Sequence, residues 1–184
     1  MVDVVANNFA YAGPGQDTVY SDFVPFNKEE YFHPFCYITD YSNDTNAQTV
    51  CTSLENGKSF LLIGSQCWLG DDTLSLPDMN TENDYVKSVW DQWAKDVVAN
   101  YSSWLYFKTR REATLTGVVD GFRIDAAKHV AKPFWTQFQP EAGIYTVGEA
   151  LDADPSYACQ YMSDALSGVL NYPMFVPLLD PTTR

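Results

Sequence analysis

The sequence predicts an α/β fold built on a parallel sheet. Three observations indicate this class: valine-rich strands, an amphipathic helix that precedes the second of them, and an alternation of strand and helix through the second half of the chain. Such alternation is typical of parallel strands joined by helices. The predicted strands are 1–6, 117–125, 144–150 and 168–172, and the predicted helices are 84–100 and 132–138.

Each element follows from its local pattern. Residues 1–6 hold three valines around a single aspartate, as a buried strand does. In residues 84–100 the apolar side chains recur at helical spacing, at Val86, Val89, Trp90, Trp93, Val97 and Val98. Residues 8–80 are irregular and rich in glycine, proline, asparagine, aspartate and tyrosine. A loop of that length is usually functional or a small subdomain of its own.

The composition is that of an acidic globular protein. The chain has 184 residues, 46% of them hydrophobic, and a formal net charge of −13. This charge would repel nucleic acid, and no apolar run is long enough to span a membrane, so neither is an expected partner. Four cysteines and two N-glycosylation sequons, at Asn43 and Asn100, favour a secreted protein. Because no signal peptide follows Met1, we expect the natural N-terminus to lie upstream.

Three successive strands end in polar side chains. The first gives Asp3, Asn7 and Asn8, the second gives Arg123, Asp125, Lys128 and His129, and the third gives Glu149 and Asp152. Carboxyl groups on neighbouring strand ends, here Asp125 and Glu149, are the nucleophile and acid that glycoside hydrolysis requires. Arg123 is predicted to keep Asp125 ionised, whereas Glu149, with no basic neighbour in sequence, is predicted to have a raised pKa. A single Arg-x-Asp is more often a structural ion pair, so the prediction depends on all three strand ends together.

These motifs resemble a known family. "DVVAN", "GFRIDAAKH" and "GEALD" are similar to signature regions of the alpha-amylase clan of glycoside hydrolases. "YFHPFC", "CWLGDDTLSLPDMNT", "DADPSYAC" and "GVLNYPMF" resemble its fungal, Taka-amylase-type branch. The resemblance implies part of a (β/α)8 TIM barrel, about strands three to six, with a loop subdomain after strand three. The implied division is 1–7 for strand three, 8–80 for the loop subdomain and 81–184 for the barrel continuation.

The resemblance also implies roles for individual residues. Asp125 would be the nucleophile, Glu149 the general acid and base, and Arg123 the support of the nucleophile. Substrate contacts are implied, besides Arg123, for Lys128, His129, Tyr41, Asn8, Asp152 and Ala153. A Ca²⁺ ion would be held by Asn7, Asp78 and the carbonyl of His129, since oxygen ligands suit calcium. The implied protein is a secreted monomer that cleaves internal α-1,4 bonds of starch, glycogen and maltooligosaccharides with retention.

The chain departs from the family pattern in several places. Asn8 replaces a histidine, Ala153 replaces a glycine, and the fourth signature region, with its transition-state-stabilising aspartate, is absent. Residues 50–66 and 103–118 are insertions, which we interpret as translated introns, with genuine surface loops as the alternative. We therefore expect a truncated chain that is inactive on starch. The alternatives are a related transglycosidase or α-glucosidase, or a non-functional product of a faulty gene model.

The same resemblance implies a disulfide. Removing residues 50–66 gives Cys36 and Cys67 the spacing of a family disulfide, with Cys36–Cys51 as the competing pair. Cys159 is expected to be unpaired.

Overall fold

A four-stranded parallel sheet forms the centre of the protein. The structure is a computed structural model and describes residues 1–38, 50–55, 58–101 and 119–179. The strands of this sheet are β1 (Val2–Val4), β6 (Gly121–Ile124), β7 (Tyr145–Gly148) and β8 (Gly168–Val169), numbered with the other strands in chain order. They lie in the order β1-β6-β7-β8, and all three pairs are parallel. The parallel sheet predicted from the alternating pattern is confirmed.

The register aligns the carboxyl ends of the strands at one edge. Val4 lies opposite Ile124, and Ile124 lies opposite Gly148. The ladder continues one residue further, because the N–H of Asp125 donates to the carbonyl of Val4 at 2.9 Å and the N–H of Glu149 donates to that of Ile124 at 2.8 Å. Asp125 and Glu149 therefore leave the sheet side by side.

Two long helices cover the sheet. They are α1 (Asp84–Tyr101) and α2 (Lys132–Ala142), which pack against each other. α2 ends at Gly143, whose φ of 66° is the left-handed conformation that glycine adopts most readily at a helix end. The core between helices and sheet contains the fully buried side chains of Phe122, Ile124, Trp135 and Phe138. Both helices were predicted, and α2 extends beyond its predicted end.

Three short helices complete the second half of the chain. They are α3 (Pro155–Ala158), α4 (Gln160–Asp164) and α5 (Tyr172–Leu179). The fourth predicted strand is shorter than expected, since β8 ends at Val169 and a helix begins at Tyr172. None of the described helices is long and apolar enough to cross a membrane.

The irregular segment has a core of its own. Its buried members are mostly aromatic: Phe23, Phe26, Tyr31, Phe32, Met79 and Val86, the last from α1. It contains two antiparallel pairs, β2 (Val50–Glu55) with β3 (Lys58–Ile63), and β4 (Leu69–Gly70) with β5 (Ser75–Leu76). Residues 50–55 and 58–63 thus pair as two antiparallel strands, whereas residues 103–118 lie outside the described part of the chain. Whether either stretch is an insertion stays a prediction.

The predicted disulfide between Cys36 and Cys67 is wrong for this structure. Cys36 is a buried free thiol, and Cys67 is bonded to another cysteine. The two backbones run side by side, because the N–H of Trp68 donates to the carbonyl of Cys36 at 2.9 Å. A cysteine forms one disulfide, so Cys67 has no sulfur valence left for Cys36. The competing pair of Cys36 with Cys51 is excluded by the same free thiol, and Cys159 is free and exposed as expected.

Candidate active site

One arginine joins three carboxylates at the carboxyl edge of the sheet. Nη1 of Arg123 bonds to Asp125 and lies 3.0 Å from Oδ1 of Asp3, while Nη2 lies 3.0 Å from Oε2 of Glu149. The side chains of Arg123, Asp125 and Glu149 are 27%, 35% and 23% exposed. The group is therefore partly sheltered and still open to a ligand. The structure brings together the three side chains that the sequence placed on neighbouring strand ends.

Two further donors hold Glu149. The hydroxyl of Tyr172, at the start of α5, donates to Oε1 at 2.7 Å, and the N–H of Ala126 donates to Oε2 at 3.4 Å. Ala126 has a φ of 48°, an uncommon left-handed conformation for a residue with a side chain, and it turns the chain directly after Asp125. Both oxygens of Glu149 are thus fixed by donors from separate segments.

Tyr172 was not predicted as a site residue. It lies in the quoted stretch "GVLNYPMF", just after β8, so it occupies the end of a fourth parallel strand. The signal at the first three strand ends is charge, and the Tyr172 hydroxyl is neutral. Its position after β8 was the available clue.

The pKa shifts of the two carboxyl groups are opposite in direction to the predicted ones. Burial and a hydrogen bond with Glu149 raise the pKa of Asp125, although Arg123 acts in the opposite direction. Burial would also raise the pKa of Glu149, but hydrogen bonds from Tyr172 and the Ala126 N–H, with contributions from Asp125 and Arg123, lower it. The prediction of a raised pKa for Glu149 is therefore wrong for this structure. Its donors come from distant positions, and the prediction considered only sequence neighbours.

A cluster of oxygen atoms lies where β1 meets the irregular segment. The amide end of Asn7 lies 2.7 Å from the carbonyl oxygen of His129 and 3.1 Å from Oδ1 of Asp78. When Nδ2 of Asn7 donates to Oδ1 of Asn8, at 3.1 Å, Oδ1 of Asn7 faces those two acceptors with no proton between them. Oxygens that share one Ca²⁺ at about 2.3–2.6 Å lie roughly 3 Å apart, so this orientation fits calcium. With the amide rotated, the nitrogen of Asn7 donates to both acceptors instead.

The ligand chemistry of this cluster is that of a hard cation. One carboxylate, one amide and one carbonyl offer only oxygen, which suits calcium and not zinc. Asn7 and Asp78 are each 1% exposed, so their oxygens are directed into the protein. Within the described residues no group of three or more His, Cys, Asp and Glu side chains could hold a metal.

The whole chain aligns with named proteins. It matches alpha-amylase 1 of Lipomyces kononenkoae over 100% of its length at 44% identity, and alpha-amylase 2 of Schwanniomyces occidentalis over 97% at 40% identity. The chain is a homologue of the fungal alpha-amylases. A solved alpha-amylase structure from Malbranchea cinnamomea matches 98% of the chain with a TM-score of 0.74 and 37% identity. The resemblance recognised in the sequence motifs is confirmed.

The alpha-amylase homology covers only part of each relative. The chain spans 24% of the Lipomyces protein, 29% of the Schwanniomyces protein and 31% of the Malbranchea structure. No protein-family model matches it.

The other substrate-binding residues implied by the alpha-amylase resemblance lie outside the group formed by Arg123 and the carboxylates. Lys128 is buried, and its Nζ donates to the carbonyl of Leu151 at 2.8 Å. Asp152 is also buried: its Oδ1 accepts from the N–H of Asp154 at 2.7 Å, and its Oδ2 has no hydrogen-bond partner among the described residues. Ala153 is exposed beside it. Contact of these residues with substrate stays a prediction.

Asn8 and Tyr41 complete the predicted set. The side chain of Asn8 donates to the carbonyl of Phe9 at 3.0 Å and is partly exposed next to the oxygen cluster. Tyr41, with its predicted stacking role, lies outside the described residues. His129 contributes its carbonyl to the oxygen cluster, and its side chain is half-buried.

Proposed function

We propose that this chain carries the catalytic carboxylates of an alpha-amylase-type glycoside hydrolase, which cleaves internal α-1,4 bonds of starch and glycogen with retention. The observation that supports this most is the pair Asp125 and Glu149, on adjacent parallel strand ends and joined by one guanidinium. The two nitrogen ends of the Arg123 guanidinium bond to one carboxyl group each, which keeps the pair close together. Inverting enzymes need about 6.5–9.5 Å between carboxyl groups for a water molecule, and so close a pair favours the retaining mechanism.

In this mechanism Asp125 attacks the anomeric carbon and forms a covalent glycosyl intermediate. Glu149 gives its proton to the leaving oxygen and then removes a proton from the incoming water. Arg123 holds both carboxyl groups at the same strand edge. In the ligand-free site the pKa of Asp125 is raised and that of Glu149 is lowered, whereas the mechanism requires a protonated Glu149. A sugar that displaces the Tyr172 hydroxyl from Glu149 and excludes water would raise the pKa of Glu149.

We propose that the sheet corresponds to strands three to six of a (β/α)8 barrel. The chain would then divide into barrel strand three at 1–7, the loop subdomain at 8–80 and the barrel continuation at 81–184. The all-parallel order β1-β6-β7-β8 and the long irregular excursion after β1 support this assignment.

Calcium is proposed to join the irregular segment to the sheet. Asn7 follows β1, Asp78 belongs to the irregular segment, and His129 follows β6. The N–H of Met79 donates to the carbonyl of Asn7 at 2.7 Å, so a backbone hydrogen bond also joins the two segments. The ion would add oxygen coordination across that junction and take no part in the bond-breaking steps.

The sugar-binding surface is proposed from the same homology. Its members would be Arg123, Lys128, His129, Tyr41, Asn8, Asp152 and Ala153. We propose α-glucans and maltooligosaccharides as ligands of a secreted, monomeric protein. The net charge of −13 is consistent with a neutral ligand.

A chimera tests the proposed function. Residues 1–184 would replace the aligned part of the Lipomyces alpha-amylase, and the product would be assayed on starch. Hydrolysis that is lost on Asp125→Asn supports the proposal. An inactive chimera that still folds would count against it, as would equal binding of maltoheptaose and of a β-1,4-linked oligosaccharide of the same length to the 184-residue chain.

A further inference from the structure

We infer that His33 and Glu82 are positioning residues for the oxygen cluster, because His33 occupies Oδ2 of Asp78 and leaves Oδ1 to face the amide end of Asn7. This inference rests on the proposed cation site and extends it to two side chains that touch no ligand themselves.

The imidazole of His33 lies between two carboxylates. Its Nδ1 is 2.6 Å from Oδ2 of Asp78, and its Nε2 is 2.9 Å from Oε2 of Glu82. The backbone fixes the ring as well, since the N–H of His33 donates to the carbonyl of Asp78 at 2.9 Å and the indole N–H of Trp68 donates to the carbonyl of His33 at 3.0 Å. His33 and Asp78 are both buried.

In this arrangement the two carboxylate oxygens of Asp78 have different partners. Oδ2 is occupied by His33, and Oδ1 lies 3.1 Å from the amide end of Asn7. The carboxylate therefore cannot rotate freely or present both oxygens to a cation. A ligand held in its binding orientation has less conformational freedom to lose when the ion binds.

Glu82 anchors the other side of the ring. Its side chain is 46% exposed and lies just before α1. The contacts Glu82–His33–Asp78 thus connect the beginning of a core helix to the cation ligand. Partners of this kind, one step removed from the ion, typically contribute about 10- to 100-fold to metal affinity.

Two histidine substitutions separate positioning from general stability. In His33→Asn the amide nitrogen can take the place of Nδ1 and still donate to Asp78. In His33→Gln the amide reaches toward the place of Nε2, and the bond to Asp78 is lost. We expect His33→Gln to weaken Ca²⁺ binding about 10- to 100-fold, and His33→Asn to weaken it much less.

A pair of charge substitutions controls for electrostatics. Glu82→Gln and Asp84→Asn each remove one negative charge near the start of α1. Unlike Glu82, Asp84 is fully exposed, and its Oδ1 lies 3.4 Å from Nζ of Lys87. We expect Glu82→Gln to weaken binding, whereas Asp84→Asn should leave it close to that of the unsubstituted chain.

The measurement is titration of Ca²⁺ into the metal-free 184-residue protein by calorimetry, with Tb³⁺ as a more highly charged probe for oxygen-only sites. Circular dichroism of each metal-free variant would confirm that it folds. If Ca²⁺ and Tb³⁺ bind, and His33→Gln and Glu82→Gln bind them as tightly as the unsubstituted chain, the positioning role is overturned while the cation site remains. If the folded, unsubstituted chain binds neither ion, the cation site itself is overturned and the inference with it.

Discussion

The hydroxyl of Tyr172 donates a hydrogen bond to Oε1 of Glu149 at 2.7 Å, while Arg123 and the N–H of Ala126 contact Oε2. This bond joins the end of β7 to the beginning of α5. It fixes the carboxylate plane and favours the ionised form of Glu149. A proton donor for a leaving group needs a raised pKa. The Tyr172 hydroxyl therefore opposes protonation of Glu149 in the ligand-free site.

Tyr172→Phe should raise the pKa of Glu149 and destabilise the fold at neutral pH by about 1 kcal/mol, because a hydrogen bond to a partly exposed charge is lost. The folded pKa of Glu149 is lowered, so its ionised form contributes stability that is fully present above the ordinary value of about 4.3. That contribution is lost as pH falls through the lower folded pKa. Urea unfolding should therefore show a larger difference between the two proteins at pH 7 than at pH 3.

Tyr85→Phe provides the matched control for this substitution. Tyr85 is an exposed tyrosine of α1 whose hydroxyl is 3.5 Å from the carbonyl of Pro25, at the limit of a hydrogen bond. Its loss should change stability little at either pH. An equal loss for Tyr172→Phe at pH 7 and pH 3 would show that the phenol packs at the site without acting on the Glu149 charge.

Much of the sheet could be predicted from the sequence, and the partners of its polar groups could not. Strand positions follow from short-range patterns, and parallel order brings Asp125 and Glu149 to one edge without any knowledge of loops. The donors to Glu149 depend on where α5 begins and on the left-handed turn at Ala126. Neither is encoded in a nearby motif, and that is why the direction of the pKa shift of Glu149 was predicted wrongly.

Thiol labelling should distinguish the cysteines in a fixed order. Cys159 is exposed and should react with iodoacetamide in the native protein, whereas Cys36 is buried and burial raises the pKa of its thiol to about 11. We expect one label on the native chain and a second, at Cys36, after denaturation without reductant. Peptide mass spectrometry gives the positions. Absence of the second label, with a Cys36–Cys67 peptide pair, would instead restore the family disulfide.

Stability of the metal-free protein should decline at alkaline pH through His33. Burial opposes protonation of its ring, but hydrogen bonds to Asp78 and Glu82 raise the pKa of His33 to about 9. Protonated His33 thus contributes stability that is fully present below about pH 6.5 and lost as pH rises through about 9. Burial also raises the pKa of Asp78, to about 8. We assign the stabilising effect to His33, because it has two carboxylate partners and Asp78 has one imidazole.

The measurement is the melting temperature between pH 6 and pH 10, with and without His33→Gln. The unsubstituted chain should lose more of its melting temperature than the variant over this range. Parallel curves would assign the alkaline decline to lysine and tyrosine side chains elsewhere.

The 184-residue chain should not hydrolyse starch, whereas the chimera with the Lipomyces alpha-amylase should. Losing one group that acts on the transition state commonly costs about 10²- to 10³-fold in rate, and the Lipomyces part of the chimera would supply the transition-state-stabilising aspartate of the fourth signature region. Asn8, which stands where the family pattern has a histidine, is present in both proteins and does not separate them. In the chimera Asp125→Asn should abolish turnover, because an amide is a poor nucleophile. Glu149→Gln should also greatly lower the rate of starch hydrolysis. Substrates with good leaving groups need little protonation, so the rate of their first step should fall less. The released sugar should keep the α configuration, observable by NMR within the first turnovers. An inverted product would exclude Asp125 as the nucleophile, and measurable starch hydrolysis by the 184-residue chain alone would show that its four strands already suffice for catalysis.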